Sequence, residues 1–138
     1  MATLIDTNVL IDVFHTRGTY TDWSLARLEA ARFEGPLLIN PLIYAEMAAG
    51  YATVTELDAA LAPGLFQREE LPWDAAYAAG HAFLQYRRTG GDKRSPLPDF
   101  YIGAHAMVRG HKLLSRDTAR YRTYFPLLSL ISPETHPL

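Results

Sequence analysis

A chain of 138 residues with 49% hydrophobic and 20% charged side chains is long enough to bury one full core and too apolar to stay disordered. The lack of any cysteine excludes disulfides, thiolate nucleophiles and zinc–thiolate sites, no apolar run approaches the ~20 residues that span a bilayer, and the acid at position 6 argues against a secretory leader. The net charge of -2 conceals an asymmetry: from Arg87 to Arg122 nine basic residues face three acids, a balance of +6, while the rest has four basic and twelve acidic residues, a balance of -8.

In chain order, Ala2-Thr3-Leu4-Ile5 reads as a short buried strand before Asp6-Thr7-Asn8. Val9 to Phe14 reads as a helix closed near Arg17-Gly18. Thr21 is placed to cap the next helix, running to about Glu34, with Leu25, Leu28 and either Ala31 or the stem of Arg32 on its inner face. Gly35-Pro36 ends it, Leu37-Leu38-Ile39 is a second strand, and Asn40-Pro41 supplies a cap and a first-turn proline for the helix carrying Glu46. Thr53 to Glu56 has the capping-box pattern and opens a helix to about Leu61. Phe66 to Leu71 carries three charges and fits only an edge strand. Trp73 to Arg88 is a long alanine-rich helix, with Trp73, Tyr77, Phe83 and Leu84 expected in the core. A polar, proline-punctuated loop from Gly90 to Pro98 precedes a helix over Pro98 to Val108. Leu113-Leu114 is a strand, Thr118 to Tyr124 a short helix, and Leu127 to Ile131 a closing strand. Alternating strands and helices predict a single α/β domain over residues 1–138 with a mainly parallel sheet.

Four acids fall at one kind of place in this pattern. Asp6 follows the first strand, Glu46 lies in the helix after the second, Asp99 sits in the first turn after Pro98, and Asp117 follows Leu113-Leu114 by two residues. In an open α/β sheet the carboxyl ends of strands and the starts of the next helices share the ligand-binding edge. Four carboxylates gathered there raise one another's pKa unless a cation compensates them. Oxygen ligands of this kind suit Mg²⁺ or Mn²⁺, which can activate a water against a phosphodiester. Thr7, Asn8 and Ser115 are small polar neighbours able to orient a ligand carboxylate or a bound water. Each acid also has a plain structural role available. Asp6 and Asp117 could cap helices, Asp99 could favour a helix dipole, and Glu46 could be an ordinary surface glutamate.

The basic third of the chain suits a polyanion such as nucleic acid, though solvated helix faces account for charge equally well. Arg87, Arg88, Lys93, Arg94, Arg116 and Arg120 are its candidates for phosphate contacts. His15, His81, His105, His111 and His136 form no i, i+4 pair and no ligand cluster along the sequence, which argues against zinc. No nucleophile elbow, P-loop or dinucleotide fingerprint is present.

The segments Leu-Ile-Asp-Thr-Asn-Val-Leu-Ile-Asp (4–12), Asn-Pro-Leu-Ile-Tyr-Ala-Glu (40–46), Leu-Pro-Asp-Phe-Tyr-Ile-Gly-Ala-His-Ala (97–106) and Leu-Leu-Ser-Arg-Asp-Thr-Ala-Arg-Tyr-Arg-Thr-Tyr-Phe-Pro (113–126) together resemble the PIN-domain family, and within it the VapC toxins of type II toxin–antitoxin pairs. The resemblance implies four or five parallel strands flanked by helices and a metal-dependent endoribonuclease, and the absence of cysteine fits a cytoplasmic location. By position, Asp6, Glu46, Asp99 and Asp117 match the acidic quartet, with Asp6, Asp99 and Asp117 as the Mg²⁺ or Mn²⁺ ligands. It also implies a small antitoxin partner, whose basic side chain reaches the acids, and a homodimer with no membrane association. Two other readings remain open on sequence. One is a PIN-like interaction module without catalysis. The other is a small phosphohydrolase with Asp6 as nucleophile, for which position 8 is Asn rather than a second acid.

Overall fold

The computed structural model describes residues 1–15, 17–91 and 97–138. Its elements are β1 (Thr3–Ile5), α1 (Thr7–Phe14), α2 (Thr21–Glu34), β2 (Leu37–Ile39), α3 (Pro41–Ala48), α4 (Val54–Ala60), β3 (Phe66–Arg68), α5 (Trp73–Arg88), α6 (Leu97–Arg109), β4 (Lys112–Leu114), α7 (Ala119–Tyr124) and β5 (Leu130–Ile131). The five strands form one sheet of order β3-β2-β1-β4-β5, and every pairing is parallel. β1 and β2 are buried along their whole length, as helices on both faces of a parallel sheet require. This explains why they read as continuous apolar runs rather than alternating ones. The strand order reverses between β1 and β4, and an open parallel sheet presents its ligand crevice at the carboxyl ends of such a pair.

The short strands leave little room for registry error. Thr3 pairs with Lys112 and Ile5 with Leu114, and the Asp6 amide continues the ladder by donating to the Leu114 carbonyl at 2.9 Å. Asp6 is thereby fixed at the mouth of the β1/β4 crevice. Asn40 caps α3, its side chain accepting from the Ile43 amide at 2.9 Å, with Pro41 in the first turn. Thr53 caps α4 in the same way. β3 lies at the sheet edge as its charges anticipated, and it ends at Arg68.

Besides α1 starting at Thr7 rather than Val9, four details differ from the sequence expectation. Thr21 is buried and already helical, and its hydroxyl accepts from the Gly18 amide instead of capping α2; Leu25 points outward while Trp23, Ser24, Leu28 and Ala31 face in. The last strand is only Leu130–Ile131, because Leu128 turns back to the Phe125 carbonyl and Leu127 is exposed. On α5 the core face is Ala75, Ala79 and Ala82, whereas Trp73 is 91% exposed, Tyr77 72% and Leu84 43%, with Phe83 half-buried. Two stripes of helical spacing exist on nearly opposite sides of α5, and the small one packs. Alanine lets α5 lie close against the antiparallel α6, with Tyr86 meeting Phe100 at 5.5 Å between ring centroids and Asp74 facing Arg109. Finally, α6 begins at Leu97, one residue before Pro98, which keeps Asp99 in the first turn. No helix among the described residues is long and apolar enough to cross a membrane.

Candidate active site

Asp6 anchors the site. Its Oδ1 accepts from the Thr7 amide at 2.8 Å, so it does cap α1. Its Oδ2 accepts from the Ser115 hydroxyl at 2.7 Å, the Tyr121 hydroxyl at 2.9 Å and Asn8 Nδ2 at 3.4 Å. The cap reading and the site reading therefore both hold, one for each oxygen. Burial pushes the Asp6 carboxyl up to about 6; the charges of Asp99 and Glu46 add to this, while the Ser115 and Tyr121 hydrogen bonds oppose it.

The other three acids converge on the same crevice. Glu46, exposed on α3, accepts from the Thr7 hydroxyl at 2.8 Å. Burial of its carboxyl and the nearby Asp99 charge raise its pKa against that hydrogen bond. Asp99 is also raised, first by burial and then by Asp117, with Arg120 opposing. Asp117 Oδ1 accepts from the Arg120 amide at 3.2 Å in the first turn of α7, and its own amide donates to Ser115 Oγ at 3.0 Å.

The small polar residues form a lattice beneath the acids. Ser115 donates to Asp6 and accepts from Asn8 Nδ2 at 3.2 Å, while Asn8 Oδ1 accepts from the Arg116 amide at 3.1 Å. Thr7, Asn8 and Ser115 thus tie the loop after β1 to the loop after β4. Tyr121 belongs to the same lattice and was not anticipated from sequence. It is 1% exposed, and burial beside the Asp6 charge holds its phenol well above the usual range. Nothing in an aromatic at the start of a short helix distinguishes such a tyrosine from core.

The basic candidates separate into distinct groups. Arg120 lies among the acids: its Nη1 is 2.5 Å from Asp99 Oδ2 and 3.7 Å from Asp117 Oδ2. Arg116 Nε is 2.8 Å from Asp12 Oδ2, and its guanidinium lies over the Tyr20 ring at 5.2 Å from the centroid. Asp12 is buried, accepts from Ser24 Oγ at 2.7 Å, and had no assigned role in the sequence. Arg87 and Arg88 are exposed in the last turn of α5. Lys93 and Arg94 lie outside the described residues.

The histidines form no cluster along the sequence, but in the fold two of them meet an acid. Glu69, His105 and His111 have their donor atoms within 4.8 Å of one another, and they are the only such trio among the described residues. They are 36 and 42 residues apart in sequence from Glu69, so no local spacing could announce them. The acidic quartet is more open than that trio. An open set of carboxylates suits a hard ion that keeps several of its waters. The Arg120 guanidinium between Asp99 and Asp117 marks a place where positive charge is already favoured. The donor chemistry fits a divalent cation.

A sequence model of the PIN domain matches residues 3–126. Nucleases of that family use a divalent metal. No curated protein matches the sequence significantly. Among solved structures, the chain is similar to VapBC2 from Rickettsia felis bound to a promoter DNA fragment, with a TM-score of 0.71 at 15% identity over 96% of this chain and 98% of that one. It is similar to FitAcB from Neisseria gonorrhoeae, with a TM-score of 0.70 at 18% identity over 96% and 98% of the two chains. A toxin–antitoxin complex from Klebsiella pneumoniae gives 0.68 at 23% identity over 95% and 97%. These likenesses concern the fold; the match across residues 3–126 establishes the kinship, and the chain belongs to the PIN-domain family.

Proposed function

We propose that this protein is a metal-dependent endoribonuclease and the toxin of a VapBC-type toxin–antitoxin pair. The observation that carries the reading is the convergence of Asp6, Glu46, Asp99 and Asp117 on the β1/β4 crevice of a PIN domain. Asp6, Asp99 and Asp117 would hold the Mg²⁺ or Mn²⁺ directly or through water. The bound ion supplies charge for the scissile phosphate and acidifies a water. Glu46 completes the acidic set. With one oxygen fixed by Thr7, its other oxygen can take the proton of the attacking water. The Ser115, Tyr121 and Asn8 hydrogen bonds hold Asp6 in one orientation throughout.

Arg120 is a resident counterion of the metal-free site. Asp99 and Asp117, which Arg120 pairs with here, are the residues that would hold the ion, and an Arg120 guanidinium released from them would be available to a phosphate. Arg87 and Arg88 offer further phosphate contacts, as do Lys93 and Arg94. Arg116, already paired with Asp12, contributes chiefly by fixing the loop after β4. A small antitoxin is the expected partner, in keeping with the toxin–antitoxin complex among similar folds, and the family resemblance alone makes a homodimer the expected assembly.

The test is cleavage of total RNA by the purified, antitoxin-free protein with Mg²⁺, Mn²⁺ or EDTA, beside Asp6→Asn and Asp99→Asn. Discrete fragments that require metal and vanish in both variants are expected. Cleavage that survives EDTA and both substitutions counts against the acidic site, and a folded, metal-loaded protein that cuts nothing points to a non-catalytic module. In parallel, Arg120→Gln should bind Mn²⁺ about five-fold more tightly by calorimetry. That factor corresponds to the ~1 kcal/mol upper value of a partly exposed ion pair that the metal no longer has to break.

A further inference from the structure

Outside the acidic crevice, Glu69, His105 and His111 bring three metal-capable atoms together from separate parts of the fold. Glu69 directly follows edge strand β3, His105 is fully buried midway along α6, and His111 immediately precedes β4. Glu69 Oε1 lies 2.8 Å from His105 Nε2 and 2.7 Å from His111 Nε2. A cleft of about 190 Å³ is lined by Glu69 with Asn40, Tyr44, Arg68 and Glu70 among others, and neither histidine lines it.

We propose that Glu69, His105 and His111 form a second metal site, for a borderline d-block dication such as Zn²⁺, separate from the acidic crevice. Two imidazole nitrogens and one carboxylate oxygen are a ligand set that Zn²⁺ takes, with a water or a further oxygen completing four-coordination. The acidic crevice offers only oxygen, which suits harder ions. The two sites therefore sort metals by donor chemistry and share no residue. The proposal is independent of the nuclease reading.

The present distances are those of the hydrogen-bonded, metal-free trio. Tetrahedral coordination at zinc bond lengths sets ligand atoms about 3.3 Å apart, so each contact opens by roughly half an ångström. The proton arrangement raises a sharper issue. Asn40 Oδ1 is committed to the Ile43 amide, so Asn40 Nδ2, 3.0 Å from His105 Nδ1, acts as the donor. His105 accordingly carries its proton on Nε2 and gives it to Glu69. Metal at Nε2 requires that proton on Nδ1, where it meets a donor, so the Asn40 amide must turn over and release its cap. Asparagine at position 40 thus weakens the site without abolishing it. Aspartate there would accept from both the Ile43 amide and His105 Nδ1–H, the carboxylate–histidine–metal arrangement.

This gives a test that loss of folding cannot imitate. Zn²⁺ is titrated into the purified full-length chain by equilibrium dialysis in excess Mg²⁺, and Co²⁺ is read by its d–d absorption, for wild type, Asn40→Asp, His111→Ala and Asp99→Asn. The expected result is one tightly held equivalent that Asn40→Asp binds about ten- to a hundred-fold more tightly, in the range of such supporting contacts. His111→Ala should lose it, and Asp99→Asn should keep it. An ion retained in His111→Ala but lost in Asp99→Asn would lie at the acids and overturn the proposal while leaving the nuclease reading intact. Absence of Zn²⁺ binding in both wild type and Asn40→Asp would make the trio a hydrogen-bonded clamp and nothing more.

Discussion

Asp6 is the residue at which the demands of folding and chemistry meet most directly. Its carboxyl is raised from 3.8 in the unfolded chain to about 6 in the fold, because burial penalises the charge more than its hydrogen bonds reward it. The fold therefore holds the Asp6 proton more tightly than the open chain does. The stability this contributes is complete below about pH 4 and is lost as pH rises through 6. The full swing is about 3 kcal/mol at 1.36 kcal/mol per pH unit of difference. Asp6→Asn should cancel it, so urea unfolding in EDTA should show the variant gaining on wild type between pH 4 and 7. Taking the difference between the two proteins removes the part of the Glu46, Asp99 and His105 titrations that is independent of Asp6, and what remains is Asp6 together with its charge coupling to Glu46 and Asp99. A constant difference across that range would mean Asp6 is ionised as easily in the fold as outside it. The residue scale is also where sequence reading was strongest. An acid directly after a buried strand is visible as such, and so are its small polar neighbours. Tyr121 was not visible, since only the fold turns its hydroxyl toward Asp6.

Among the elements, α6 carries the most. It contributes Asp99 in its first turn and His105 at its middle, and it packs against both α5 and α7. Its contact with α7 depends on Gly103, where an added Cβ would fall 2.8 Å from Phe125 Cδ2 and 3.0 Å from Tyr121 Cδ1. Both rings are almost fully buried and have nowhere to retreat. Overpacking of this kind costs about 1–3 kcal/mol, against roughly 1 kcal/mol regained from helix propensity. Gly103→Ala should therefore lower thermal stability by up to about 2 kcal/mol, and by shifting Tyr121 it should reduce activity as well. Trp73→Ala, on the exposed stripe of α5, should change stability by less than about 0.5 kcal/mol. A melting curve for each variant decides between the two packing faces. The contrast shows why periodicity alone misassigned α5. Two stripes had the right spacing, and the aromatic one was the larger, but the distance to α6 favours alanine.

Over the whole chain, positive charge is concentrated in sequence between Arg87 and Arg122, but the fold disperses part of it: Lys112 pairs with Glu34, Arg109 with Asp74 and Arg122 with Glu134, while Arg120 lies among the acids. Cations left facing the solvent attract a polyanion at long range and leave its chemistry to the acids. If Arg87 and Arg88 touch phosphates, replacing both with Gln in the Asp6→Asn background should weaken RNA binding and flatten its salt dependence. The expected change in the slope of log affinity against log salt is about 1.4, at ~0.7 per contact with a single strand. An unchanged slope would route the RNA elsewhere. Sequence by itself determined the α/β class, the parallel sheet, the helix caps at Asn40 and Thr53, and the positions of the four acids, because each rests on local spacing and strand ends. Only tertiary structure decided which face of α5 is core, that Arg120 stands between Asp99 and Asp117, and that Glu69, His105 and His111 converge. Those outcomes depend on residues brought together across the sheet and between helices, and a periodicity measured along one element carries no information about what lies opposite it.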